Sequence, residues 1–420
     1  MLKPTSFIAL IASLSLLVAP SCLAQTFEQL IEQYEAFDEA GSPQAQADAN
    51  DQEVRVWSNV RRAFDRARAE EARLMVAALE DLDTPAPSPE LEILKHLLSG
   101  PIDHYESDLA RVPMSGDWGF FAEAPYTALS YRITTREKAE AWIARLDDLP
   151  RYFNEHIANM RRGIDTGWTQ HGDPLATSMA QIRGTIVDDP RTSALFVPFV
   201  SLSASDLPPE EIAALESDGA AAVQTAIDAY STVLAFLETE YAPTARENPG
   251  LASLEGGQEV YARLVAWHTA GAGYSAEDIH ALGLSEVARI RAEMDIAMAD
   301  AGWEGSFEAF IEFLRTDPQF YAQTPEELLE KASEMSKRLD AILPRYFGLL
   351  PRLPYGVEAV PASIAPGYTT GRYLSGDADE GVAGRYWVNT YALDQRPLYE
   401  LPALSAHEAV PGHHLQIALA

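Results

Sequence analysis

The chain predicts a mainly α protein, with one large multi-helical body and a small strand-containing segment just before its last helix. Three observations carry that prediction. From Phe27 to about Pro351 apolar residues recur at three- and four-residue spacing, with little of the sustained alternation that marks strands. Helix-opening signals punctuate the same stretch. After Pro351 the text changes: proline, glycine and tyrosine become frequent, and RYWVNTYAL, Arg385 to Leu393, mixes aromatic and β-branched residues as a short strand does. At 420 residues the chain predicts one large helical body or two intimately packed domains.

Taken in order, residues 1–24 read as a signal peptide. Lys3 supplies a positive start, Phe7 to Ala19 an apolar run, and Cys22-Leu23-Ala24 a small-x-small cleavage site before Gln25. Removal of this leader implies a periplasmic or secreted protein, residues 25–420. The apolar run is short for a bilayer span and no other stretch is read as one, so no integral membrane segment is expected in the mature chain. Cys22 is the only cysteine, so the mature protein has no disulfide. An alternative reading makes Ala19-Pro20-Ser21-Cys22 a lipoprotein box with Cys22 as the lipidated first residue.

The helical stretch has its own grammar. Ser88-Pro89 opens a helix expected to stop near Gly100; Thr134 precedes Glu137, Ser275 precedes Asp278, and Thr324-Pro325-Glu326-Glu327 combines an N-cap, an N1 proline and a first-turn carboxylate. Glu53 to Leu82 and Glu210 to Tyr241 read as long antiparallel helices around a shared core. Thr84 to Pro87 is a stiff connector. Asp188 to Pro209, rich in proline and serine, is the clearest interruption and a candidate sub-boundary, and residues 351–402 form the strand-containing segment.

Charge narrows the partners. With 31 Lys and Arg against 63 Asp and Glu, the formal net charge is -32, and no basic cluster could neutralise a row of phosphates, so nucleic acid is not expected as a partner. The acidity reads as a solubilising surface.

The chemistry lies in HEAVPGHHLQ, His407 to Gln416. Zinc hydrolysis needs neutral imidazoles to hold the ion, an open position for water, and a carboxylate to take that water's proton. In the HExxH spelling the second histidine lies four residues on, where both rings reach one ion. Here that position is Pro411. On an unbroken helix His413 would lie roughly 120° from His407, and His414 roughly 10 Å up the axis. Pro411 cannot donate to the His407 carbonyl, however, and Gly412 tolerates backbone angles closed to other residues, so the helix is expected to bulge there and swing a histidine back toward His407. The alternative is a kinked, buried helix whose histidines are merely hydrogen-bonded.

These residues resemble the bacterial domain-of-unknown-function 885 family, related to the gluzincin metallopeptidases, with its HExxPGHxxQ signature. The resemblance extends through the GRYWVNT strand and through the stretches Gly257 to Thr269 and Glu277 to Met294. It implies a gluzincin-like helical body, zinc held by His407 and His413, Glu408 as general base, and Gln416 as a partner behind the ligands. His414 occupies the more permissive position and is, with Gln416, a candidate partner behind the ligands. The family further implies a third ligand, a glutamate on a following helix in an EGWALY-like segment. Nothing of that kind follows Gln416, so the chain reads as C-terminally truncated, with Glu380 or Glu400 as improvised substitutes.

Arg385 to Asn389, with Tyr386 and Asn389, is a candidate edge strand for an extended peptide or else an ordinary strand covering the helix. Tyr386, Tyr391 and Tyr399 are candidates to polarise a scissile carbonyl, or core filling. The scattered His96, His104, His156, His171, His268 and His280 read as surface or core residues. The expected function is an exported zinc-dependent peptidase acting on peptides or small proteins, weakly active or inactive in this form. The alternatives are a helical binding protein that keeps the motif as structure, and a metal-dependent hydrolase of other amides or esters.

Overall fold

A computed structural model describes residues 26–82, 88–115, 118–362, 364–378 and 381–420. The leader with Cys22, the Thr84–Pro87 connector and Glu380 lie outside the described residues. The protein is mainly α. It divides into two compact units, residues 1–280 and 281–420. In unit 1 the elements run α1 (Phe27–Gly41), α2 (Pro43–Ala49), α3 (Arg62–Glu80), α4 (Pro89–Ser107), β1 (Met114–Ser115), β2 (Trp118–Gly119), α5 (Glu123–Ser130), α6 (Arg136–Thr166), α7 (Gly172–Thr185), α8 (Val197–Val200), α9 (Pro209–Phe236) and α10 (Gly257–His268). The division falls inside α11 (Ala276–Asp300). Unit 2 continues with α12 (Phe307–Thr316), α13 (Pro325–Ile342), β3 (Tyr355–Ala359), β4 (Gly371–Leu374), β5 (Gly384–Val388), α14 (Leu401–Glu408) and α15 (His413–Leu419).

The core of unit 1 is the seam between its two longest helices. Trp142, Leu146, Leu149 and Phe153 of α6 bury against Val223, Ile227, Tyr230 and Val233 of α9. With its continuation to Thr244, α9 is long and apolar enough to cross a membrane by length and composition, a property the sequence reading passed over; within unit 1 it is the central core helix. The interruption at 188–209, expected as a sub-boundary, folds into short turns that bury Leu195, Phe199 and Leu202 in this same core.

Local capping signals place most helix starts. Ser88 accepts from the Leu91 amide, and Ser275 and Asp278 cap each other reciprocally. Thr324 accepts from the Glu327 amide, while Thr135, not Thr134, caps α6. Two expectations fail for nonlocal reasons. The stretch 53–61 is not helical because α6 pins it: the Trp57 amide donates to Asp148, Arg151 donates to the Trp57 carbonyl, and Asn159 donates to the Val60 carbonyl. Helix α4 runs past Gly100 to Ser107, because Gly100 serves close packing: a Cβ there would come within 2.9 Å of the Trp267 ring.

In unit 2, a three-stranded sheet of order β3-β5-β4 has β3 parallel and β4 antiparallel to the central β5. Tyr386 and Val388 of β5 pack with Leu328 and Ala332 of α13 and with Leu401 and Ala409 around α14. The motif helix therefore lies on a sheet-and-helix base.

Candidate metal centre

The helix that carries His407 stops at Glu408. Ala409 takes φ -95° and ψ -101°, and α15 starts at His413 behind Gly412, at φ -77° and ψ -132°. Between them the His414 amide donates to the Ala409 carbonyl, five residues back, so the chain makes a wide turn at Pro411-Gly412. Gly412 lies directly on the carbonyl of His407. A Cβ at that position would fall on the His407 carbonyl oxygen and within 2.6 Å of the Ala406 oxygen, so no other residue fits without pushing α14 and α15 apart.

This turn brings the two imidazoles together. The rings of His407 and His413 are 4.7 Å apart and close to perpendicular. One ligand atom from each of His407, Glu408 and His413 lies within 4.8 Å of the others. His407 is exposed, His413 half-buried and Glu408 8% exposed, facing an open cleft of about 420 Å³. Thr369, Gly371, Arg372 and Tyr373 line the opposite wall.

Glu408 is held in place: the Tyr373 amide donates to its Oε2 at 2.8 Å. His414 turns away from the cleft. It is 3% exposed, its Nδ1 lies 2.9 Å from the Tyr373 hydroxyl, and its ring packs 4.6 Å from that of Tyr355. Burial pushes the His414 imidazole below its ordinary range, against the opposing pull of the Leu353 backbone and Asp340. Gln416 sits beside His413, its Oε1 3.3 Å from His413 Nδ1.

Other sequence-predicted residues do not reach the cleft. Strand β5 is central, paired on both sides, so it has no free edge to offer a peptide; β4 is the edge strand beside the cleft. Tyr386 is fully buried and its hydroxyl is pushed up to about 12, first by burial, with the Glu408 charge adding to it and Ser405 opposing. Asn389 is also buried, donating to the carbonyls of Ala365, Tyr368 and Thr369. Tyr391 and Tyr399 are exposed outside the cleft lining. Glu400 is at the N-cap of α14, the far end of that helix from His407, and does not join the ligand cluster.

The sequence reading missed Tyr373, whose amide and hydroxyl tie β4 to both Glu408 and His414. Its signal was GRYL, Gly371 to Leu374, a short alternating run with an aromatic.

Fold and site together define a mainly helical protein with a His-Glu and histidine cluster across a broken helix. The chain belongs to the family described as "Bacterial protein of unknown function (DUF885)", which matches residues 40–420. It is similar in structure to a "putative lipoprotein" from Colwellia psychrerythraea, at 21% identity and a TM-score of 0.80, covering 93% of this chain and 72% of that one. A second similar structure, a "putative lipoprotein of unknown function" from Shewanella oneidensis, has 14% identity and a TM-score of 0.56, covering 93% of this chain and 70% of that one. No curated protein matches the chain.

Proposed function

We propose that this chain carries the zinc centre of an exported peptidase. The observation that supports the reading is the convergence of His407, Glu408 and His413 on one open cleft, across a turn that only glycine permits. Imidazole donors beside a carboxylate base suit a zinc hydrolase centre. His407 and His413 would hold the ion. Bound zinc supplies Lewis acidity and lowers the pKa of water. Glu408 accepts the proton of the attacking water and returns it to the leaving amine, with Oε2 held by the Tyr373 amide and the other oxygen available for the proton. The outer edge of β4, apart from the Tyr373 amide that Glu408 takes, would offer backbone groups to an extended peptide and set its scissile bond beside Glu408. Export rests on the leader, and the "putative lipoprotein" neighbours support it. A mature chain starting at Gln25, or at a lipid-bearing Cys22, is the expected product of secretion, read by intact mass.

The test is metal and turnover together. Zinc analysis of the protein, and of any longer product of the same gene, is expected to give stoichiometric zinc in the form that cleaves unstructured peptides. His407→Ala and His413→Ala are expected to lose it. A folded, longer product without zinc or peptide cleavage would support the binding-protein alternative, and zinc-dependent turnover of esters but not peptides the other hydrolase reading.

A further inference from the structure

In unit 1, Arg145 of α6 is only 9% exposed, yet its Nε has no hydrogen-bond partner and no ion pair holds its guanidinium among the described residues. Instead it lies 4.1 Å from the centre of the Trp57 ring and 5.6 Å from that of Trp142. Trp57 is fixed to receive it: its amide donates to Asp148 at 2.7 Å, and its indole Nε1 donates to the Arg145 carbonyl at 2.7 Å. A buried guanidinium held in no ion pair is costly to keep, and burial pulls this one below its ordinary range, against the opposing pull of Tyr131 and Glu123.

Arg145 lines a cleft of about 270 Å³ together with Glu123, Val54, Val56, Trp118 and Tyr126. Trp118, 47% exposed, meets Tyr126 edge-to-face at 5.5 Å and forms an aromatic wall. Glu123 is the second charged group of the lining. Burial pushes its carboxyl up, while the Tyr152 hydroxyl and the Arg145 charge pull it down. Arg145 and Glu123 thus share one small cleft without an ion pair between them.

We propose that this cleft binds a zwitterionic α-amino acid with an aromatic side chain. Its carboxylate pairs with Arg145, its ammonium faces Glu123, and its ring rests against Val54, Val56 and the Trp118–Tyr126 wall. A simple anion would satisfy Arg145 but meet the Glu123 charge, and a simple cation the reverse. Only a ligand carrying both charges compensates the pair. The cleft volume suits a molecule of amino-acid size.

The test is calorimetric titration of the full chain in EDTA, which keeps metal out of the imidazole cleft. L-Phenylalanine is the probe, with 3-phenylpropionate and 2-phenylethylamine as its single-charge analogues. L-Phenylalanine is expected to bind one to one, with each analogue at least about tenfold weaker and Arg145→Gln at least about thirtyfold weaker. Trp118→Ala, at an exposed position that leaves the core intact, is expected to weaken binding severalfold, and His407→Ala to bind as the unaltered protein does. Absence of binding at millimolar L-phenylalanine would overturn the proposal, as would analogues that bind equally well or loss of binding in His407→Ala. If Arg145→Gln does not fold, Trp118→Ala decides: undiminished affinity there also overturns it.

Discussion

Two regions of this molecule treat histidine in opposite ways. In unit 1, His156 of α6 is 7% exposed, stacked on Phe120 at 4.4 Å and edge-on to Tyr152 at 4.6 Å, and neither ring nitrogen has a hydrogen-bond partner among the described residues. Burial, helped by the Arg151 charge, drives its pKa down to about 3. It behaves as one more aromatic. In unit 2, His407 and His413 set their rings edge to face on an open cleft, beside a carboxylate whose position a backbone amide fixes. An imidazole surrounded by aromatic rings is lost to chemistry, whereas one that keeps a solvent-facing nitrogen near a second ring remains available to a metal.

Removing the proposed base without removing the proposed ligands tests the second half of that contrast most severely. Glu408→Gln keeps the shape and both imidazoles, so zinc should remain while turnover falls about 10²–10⁴-fold, as loss of a general base does. Metal analysis beside steady-state kinetics reads this; unchanged turnover would remove Glu408 from its role. The next effect is geometric. Gly412→Ala places a methyl group on the His407 carbonyl, separating α14 from α15 and their two rings. Zinc affinity, measured by competition with a chromophoric chelator, should drop about 10–100-fold, the scale of a displaced support around a metal site.

How much of this could be read beforehand depended on the range of the forces involved. The caps at Ser88, Ser275 and Thr324 were legible because donor and acceptor are three residues apart. The wide turn at Pro411-Gly412 was legible too, since proline and glycine act on their own backbone. Which strand would be the edge was not. RYWVNT reads as a strand from its composition, but its central place depends on pairing with two segments elsewhere in the chain. The non-helical stretch 53–61 escaped for the same reason, being held by side chains of α6 about ninety residues away. Tyr373 joins Glu408 across 35 residues and His414 across 41, distances at which no local pattern speaks.

The buried histidine makes a claim about pH. Its folded value of about 3 lies below the ordinary 6.5, so its contribution to stability is fully present above 6.5 and is lost as pH falls toward the folded value, because only the unfolded chain takes up the proton. Between pH 7 and pH 5 the loss should be about 2 kcal/mol, at roughly 1.4 kcal/mol per pH unit below the ordinary value. His156→Phe keeps the stacked ring and abolishes the titration, so its urea-unfolding stability should fall less over the same interval. Equal slopes for the two proteins would mean that His156 is not held neutral in the fold.

The smallest expected effect separates the two jobs of Tyr373. Its amide holds Glu408, and its hydroxyl meets His414 Nδ1 on the buried side of α15. Tyr373→Phe keeps the amide and deletes the hydroxyl with its contacts to His414 Nδ1 and to the Gly376 backbone, leaving a buried ring nitrogen short of a partner and costing about 1 kcal/mol of stability. The backbone bond to Glu408 and the approach of His407 to His413 do not involve that hydroxyl, so zinc affinity and turnover should change by less than about threefold, close to the limit set by ordinary coupling between neighbouring sites. Chemical denaturation and the same chelator competition measure the two quantities on one sample. A large fall in turnover with stability preserved would mean that the hydroxyl acts on substrate, and that β4 contributes a side chain as well as an edge to the cleft.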